Sequence, residues 1–174
     1  MLGRTSKLLI AWLSLVAALP SSLSAQQPVL TEFLARNDGG IRDEDGDRSD
    51  WIEIHNPSSS AVSLSGWRLT DEANDLAKWV FPPETLPPGG YIVVFASNKD
   101  RATAGQPLHT NFRLAAGGEF LALVNPFGLV ATQFTPQYPA QTPDVSYGFE
   151  SDLTTLAFFD PPTPGASNGG GGGA

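Results

Sequence analysis

From Gln26 to Asn168, prolines and glycines recur so often that no apolar run between them is long enough for a helix. That punctuation confines the chain to short extended elements. Eight runs read as strands: Val29 to Ala35, Trp51 to Asn56, Val62 to Leu64, Trp67 to Asp71, Lys78 to Phe81, Tyr91 to Ala96, Glu119 to Asn125 and Leu129 to Phe134. Their number and spacing predict an all-β sandwich or barrel. Side chains alternate between the faces of a strand, so Ile52 and Ile54 belong to the core and Trp51, Glu53 and His55 to the other face. Asn125-Pro126-Phe127-Gly128 joins the last two runs as a hairpin turn, proline presetting φ and glycine accepting a positive one. "FPPETLPPGGYIVVF" holds no central strand before Tyr91, because its prolines donate nothing to a ladder. The one place for a helical turn is Asp71 to Leu76, with Asp71 as its cap. After Phe134 the chain becomes an irregular, proline-rich C-terminal segment, expected to wrap the sandwich as loops pinned by Tyr138, Tyr147, Phe158 and Phe159.

The start of the chain is of another kind. Arg4 and Lys7 precede the apolar run "LLIAWLSLVAAL", followed by Pro20 and small polar residues. This is the pattern of a signal peptide, and the run is shorter than the roughly 20 residues a membrane span requires. Cleavage near Ser24 or Ala25 makes residues 1–25 a leader, 26–168 one domain and 169–174 a glycine-rich tether. The expected location is outside the cytoplasm: secreted, periplasmic or on the cell surface, with no membrane span after cleavage. A chain of this length buries a core without staples, which suits the absence of cysteine.

Both leader charges are basic, so the mature chain keeps 8 of the 10 Lys and Arg against all 18 acids, a net of −10. Phosphate backbones would be repelled, and no basic stripe interleaved with aromatics offsets this. No nucleic acid is expected as a partner. Catalytic residues are not expected either. A nucleophilic triad needs a base within reach of the nucleophile, and the two histidines, His55 and His109, adjoin no such motif. Both read as surface or edge residues with local hydrogen bonds. Glu32, Glu53 and Asp71 lie on different strands and read as solvent-face acids. Gly39-Gly40 and Gly89-Gly90 lack the strand, loop and helix context of a phosphate-binding turn.

One stretch, "IRDEDGDRSDWIEIHN", has the look of a site. Asp43, Glu44, Asp45, Asp47 and Asp50 crowd into eight positions. Calcium takes six to eight oxygens at close range, and Asp43, Asp45, Asp47 and Asp50 are the candidate ligands, with Asn37, Asp38 and backbone carbonyls as additions. An EF-hand is excluded by register. Gly46 at the invariant sixth position puts Ile41 first and Ile52 last, and a start at Asp43 puts Arg48 at the glycine position and Ile54 last. The competing reading is a solvated polar loop whose repulsion Arg42 and Arg48 soften.

The ordered set "VLTEFLARN", the acidic insert, "DWIEIHNPSSSAVSLSGWRLTDE", "KWVFPPETLPPGGYIVVFAS", "LHTNF", "GEFLALVNPFG" and closing "PTPGASN" resembles the lamin-tail domain in its bacterial, secreted form, over residues 29 to 168. The resemblance implies an immunoglobulin-like β-sandwich in which Trp67 packs inward and Asn56-Pro57 opens a turn. Similar acidic inserts occur at this position in bacterial relatives. It also implies a noncatalytic exported module for adhesion, anchoring or recognition of an extracellular protein, glycan or cell-surface component. The alternative is an accessory domain of a larger exported enzyme, hydrolase, nuclease or kinase-like, whose catalytic part is not in this chain. Continuation of the coding sequence past Ala174 would favour that alternative.

Overall fold

The computed structural model describes residues 27–169. The expected leader and most of the expected tether lie outside the described residues. Twelve strands follow in order: β1 (Val29–Leu34), β2 (Asp50–His55), β3 (Val62–Ser63), β4 (Arg68–Thr70), β5 (Trp79–Val80), β6 (Thr85–Leu86), β7 (Tyr91–Ala96), β8 (Leu108–His109), β9 (Leu121–Val124), β10 (Val130–Phe134), β11 (Ser146–Phe149) and β12 (Leu156–Phe159). They form a six-stranded sheet in the order β12-β11-β1-β2-β7-β8, a four-stranded sheet β10-β9-β4-β5 and the small pair β3-β6. The two larger sheets pack face to face as the expected immunoglobulin-like sandwich.

Each of the eight expected strands is present, shortened by a residue or two at most boundaries. The hairpin at Asn125 to Gly128 forms as expected: Gly128 has a φ of 82°, and Asn125 Oδ1 accepts from the Phe127 and Leu129 amides. No helix forms at Asp71 to Leu76. The Thr70 hydroxyl takes over there, accepting from the Glu72 amide at 3.0 Å and lying 2.7 Å from the Asp75 carbonyl, which closes a turn instead.

The C-terminal segment departs most from expectation. It supplies two ladder strands, β11 pairing with β1 and β12 with β11. Gly148 makes the first pairing fit, because a Cβ there would lie 2.0 Å from the Thr31 carbonyl oxygen. Of the four aromatics expected to pin this segment, Tyr138 is buried and Phe159 nearly so, while Phe158 is half exposed.

The core lies between the sheets. Leu30, Phe33, Ile52, Ile54, Leu69, Val94, Leu121 and Leu123 meet there, with Trp67 and Trp79 also inward. Each large apolar side chain so buried contributes about 1.5–3 kcal/mol. Phe33 anchors an aromatic cluster, with ring centroids 5.0 Å from Phe134, 4.6 Å from Tyr138 and 6.1 Å from Tyr147.

A register shift between Leu30 and Glu32 marks a β-bulge in β1. The extra residue lets Leu30 and Phe33 share the inner face and turns Glu32 to the outer one, opposite Glu53. That outer face is itself covered: Leu34 and Trp51, outside the main core cluster, are 0% and 1% exposed.

Candidate functional site

Three polar clusters hold most of the chemistry-bearing side chains. The first is the acidic loop between β1 and β2. Oxygens of Asp43, Asp45 and Asp47 all come within 4.8 Å of one another. A cation sits among them, the Lys99 ammonium, with Nζ 2.7 Å from Asp43 Oδ2, 2.7 Å from Asp45 Oδ2 and 2.9 Å from Asp47 Oδ2. Arg101 adds a bridge of 2.7 Å to Asp45 and another to Glu44. Asp43 is the organising residue. Its side chain is fully buried, Oδ1 accepts from the Asp45 and Asp47 amides and Oδ2 from the Ser49 hydroxyl. Burial opposes its ionisation, yet the hydrogen bonds from Lys99 and Ser49 hold the carboxyl below its ordinary value. The loop is therefore an ion-paired clasp ordered around the buried Asp43, with Glu44, Asp45 and Asp47 at the surface.

Asp50, the fourth candidate ligand, stands apart. Its carboxylate accepts from the Asn37 amide at 3.2 Å, and burial pushes its pKa up to about 6 against that bond and the Arg113 charge. Asn37 likewise does loop work: its side-chain amide donates to the Ile41 and Ser49 carbonyls at 2.7 and 2.8 Å. Beside the clasp lies an open polar cleft of about 560 Å³, lined by Arg36, Arg48, Lys99 and Arg113 together with Asp38 and Asp47.

The second cluster is built on His109, which lies on β8, an edge strand of the six-stranded sheet. The side chain is fully buried there rather than at the surface. Its Nδ1 lies 2.8 Å from Ser97 Oγ, and its Nε2 lies 2.9 Å from both Glu44 oxygens. The carboxylate places the ring proton on Nε2, leaving Nδ1 to accept from the serine hydroxyl. Phe95 stacks on the ring at 5.3 Å. The line Ser97, His109, Glu44 has the order of a hydrolase triad, but Ser97 is itself buried and its hydroxyl accepts from the Lys99 amide at 3.2 Å. A nucleophile has to meet its substrate. This serine instead ties the acidic loop to the sheet. His55, on β2, is half-buried as a local residue should be, 3.1 Å from the Gly90 carbonyl through Nδ1 and stacked on Tyr91. Burial lowers its pKa.

The third cluster overturns the solvent-face reading of Glu32 and Glu53. Both are 0% exposed. The closing residues "PTPGASN" fold over them. Glu53 accepts from the Thr31 hydroxyl at 2.6 Å and the Gly165 amide at 2.6 Å. Glu32 accepts from the Thr163 amide at 3.0 Å and from the Ser146 hydroxyl. Asn168 completes the strap, donating to the Phe149 carbonyl at 2.8 Å. Burial raises the Glu53 pKa to about 7, the neighbouring Glu32 charge adding to it against the Thr31 and Gly165 bonds. Asp71 too is largely enclosed, 2.7 Å from Lys78.

Two packed, largely antiparallel sheets with no helix among the described residues define an immunoglobulin-like module. A family model described as Lamin Tail Domain matches residues 25–137, and the chain belongs to that family. The matched region ends before β11 and β12, although β11 completes the ladder on β1. A search of curated proteins finds no significant match.

Proposed function

We propose that the chain is a noncatalytic, exported lamin-tail module that serves adhesion, anchoring or recognition of an extracellular protein, glycan or surface component. The observation that carries this reading is the engagement of His109 between Ser97 and Glu44, inside the fold. Lys99 likewise occupies the acidic loop, and the closing strap occupies Glu32 and Glu53. What remains for a partner is loops and sheet edges on a rigid scaffold, where recognition usually sits. Assaying the purified domain for nuclease, phosphatase and glycosidase turnover tests the noncatalytic part. The expected result is none above background, and clear turnover that a Ser97→Ala change abolishes would overturn it.

The alternative role, an accessory domain of a larger exported enzyme, has the same surface requirements and is distinguished by the extent of the coding sequence. A second reading concerns calcium, favoured by the convergence of Asp43, Asp45 and Asp47. Calcium would bind there by displacing the Lys99 ammonium, with Asp50 contributing only after a rearrangement of its bond to Asn37. Bound calcium raises the melting temperature, and an unchanged melt at millimolar calcium removes this reading.

A further inference from the structure

Among the described residues β12 is the outermost strand of the six-stranded sheet, paired with β11 on one side and with no strand on the other. Its register decides which backbone groups the fold uses. The Glu150 amide donates to the Thr155 carbonyl at 2.8 Å, and the pairs Gly148 with Ala157 and Ser146 with Phe159 continue in the same phase. Bonded and non-bonded pairs alternate along an antiparallel ladder. The N–H and C=O groups of Leu156 and Phe158 therefore face away from β11, toward the open edge.

The same two residues carry core-type side chains to the inner face. Phe158 rests on Tyr147 at 4.8 Å, and Tyr147 and Phe149 rest on Phe134 of β10 at 6.0 and 5.7 Å. There the covering sheet ends, since β10 is its own edge strand. Leu156 and Phe158 overhang it and stay 44% and 50% exposed. Unpaired backbone and uncovered apolar side chains at the same two positions are what an added strand satisfies.

Charge selects the occupant. Glu150 and Asp152 precede the strand and Asp160 follows it, in a chain of net charge −8. A second copy would bring the same acids against these, whereas basic ends on an incoming segment would meet them. We propose that β12 takes up an extended segment of a partner protein, with apolar residues at alternate positions and Lys or Arg at its ends. This rests on the recognition role proposed above and names its surface. Pro161 and Pro162, which have no N–H to give, bound the strand, so the contact is short and belongs with weak, transient interfaces.

The test uses the full chain and a fluorescent synthetic peptide with valine at alternate positions, threonine between and lysine at both ends. Leu156→Pro deletes one outward N–H without touching the bonds to β11, and circular dichroism checks that it folds. Phe158→Thr removes the apolar contact by a second route. The expected result is saturable binding with amide shifts centred on Leu156 to Phe158, weakened about 10-fold by either change, the equivalent of about 1.4 kcal/mol. No saturable binding, shifts centred on the loops, unchanged affinity in both variants, or a wild-type dimer joined through β12 each overturns the proposal. Capture of surface material by Leu156→Pro at the wild-type level overturns it too while leaving the recognition role intact; capture by neither chain defeats the broader role.

Discussion

Glu32 on β1 and Glu53 on β2 are direct cross-strand partners, and neither side chain reaches solvent. The Glu53 carboxyl, enclosed beside Glu32 and capped by the strap at Gly165, makes stability depend on pH. The folded pKa of Glu53, about 7, lies above its ordinary value of 4.5, so the folded state binds the proton more tightly. Stability from this group is complete below about pH 4.5 and declines as pH rises toward 7. Asp50, raised from 3.8 to about 6, acts in the same direction. Asp43 and Glu44 act oppositely, their lowered values giving stability that is lost on acidification below about pH 4. The melting temperature should peak near pH 5, and Glu53→Gln should flatten its decline between pH 5 and 7.5.

Lys99→Met removes the ammonium from the clasp and leaves the buried Asp43 charge facing Asp45 and Asp47. Removing one partner of a fully buried pair costs about 3–5 kcal/mol, and partial solvent access to Lys99 lowers the expected loss to about 2 kcal/mol. Chemical denaturation checks this. With the competing cation gone, calcium should stabilise this variant more than the wild type.

Ser97→Ala leaves His109 Nδ1 buried without its donor. An orphaned buried polar atom costs about 1–3 kcal/mol, so a loss of about 2 kcal/mol is expected. Limited proteolysis should show faster cutting within residues 40–48, because His109 holds Glu44 to the sheet.

Gly148→Ala drives a methyl group into the Thr31 carbonyl. Separating β1 from β11 is the only relief, and the expected loss is about 3 kcal/mol. Hydrogen exchange should localise the weakening to β11 and β12.

How far these features can be read from sequence depends on how local their causes are. Trp51 to His55 and Tyr91 to Ala96 announce themselves through composition and flanking turns, and both became central strands of one sheet. Leu108–His109 is too short for any periodic signal, and Leu156–Phe159 is masked by the prolines and turn residues around it. Glu32 and Glu53 do lie on the outer face, but they are buried there by residues 131 and 112 positions later. Lys99 meets Asp43 across 56 positions, and His109 meets Glu44 across 65. The acidic run marked the right loop, but nothing local named the lysine that fills it. The one usable signal was "SNKDR", placing Lys99 and Arg101 just beyond a buried strand.

The central claim, recognition by a noncatalytic module, is tested most directly by a pull-down. The domain, residues 26–168, is immobilised and exposed to surface glycans, cell-wall material and secreted proteins, with and without calcium. The account predicts a retained component that then binds the purified domain saturably. Retention no greater than that of an unrelated acidic β-sandwich, under both conditions, would contradict it.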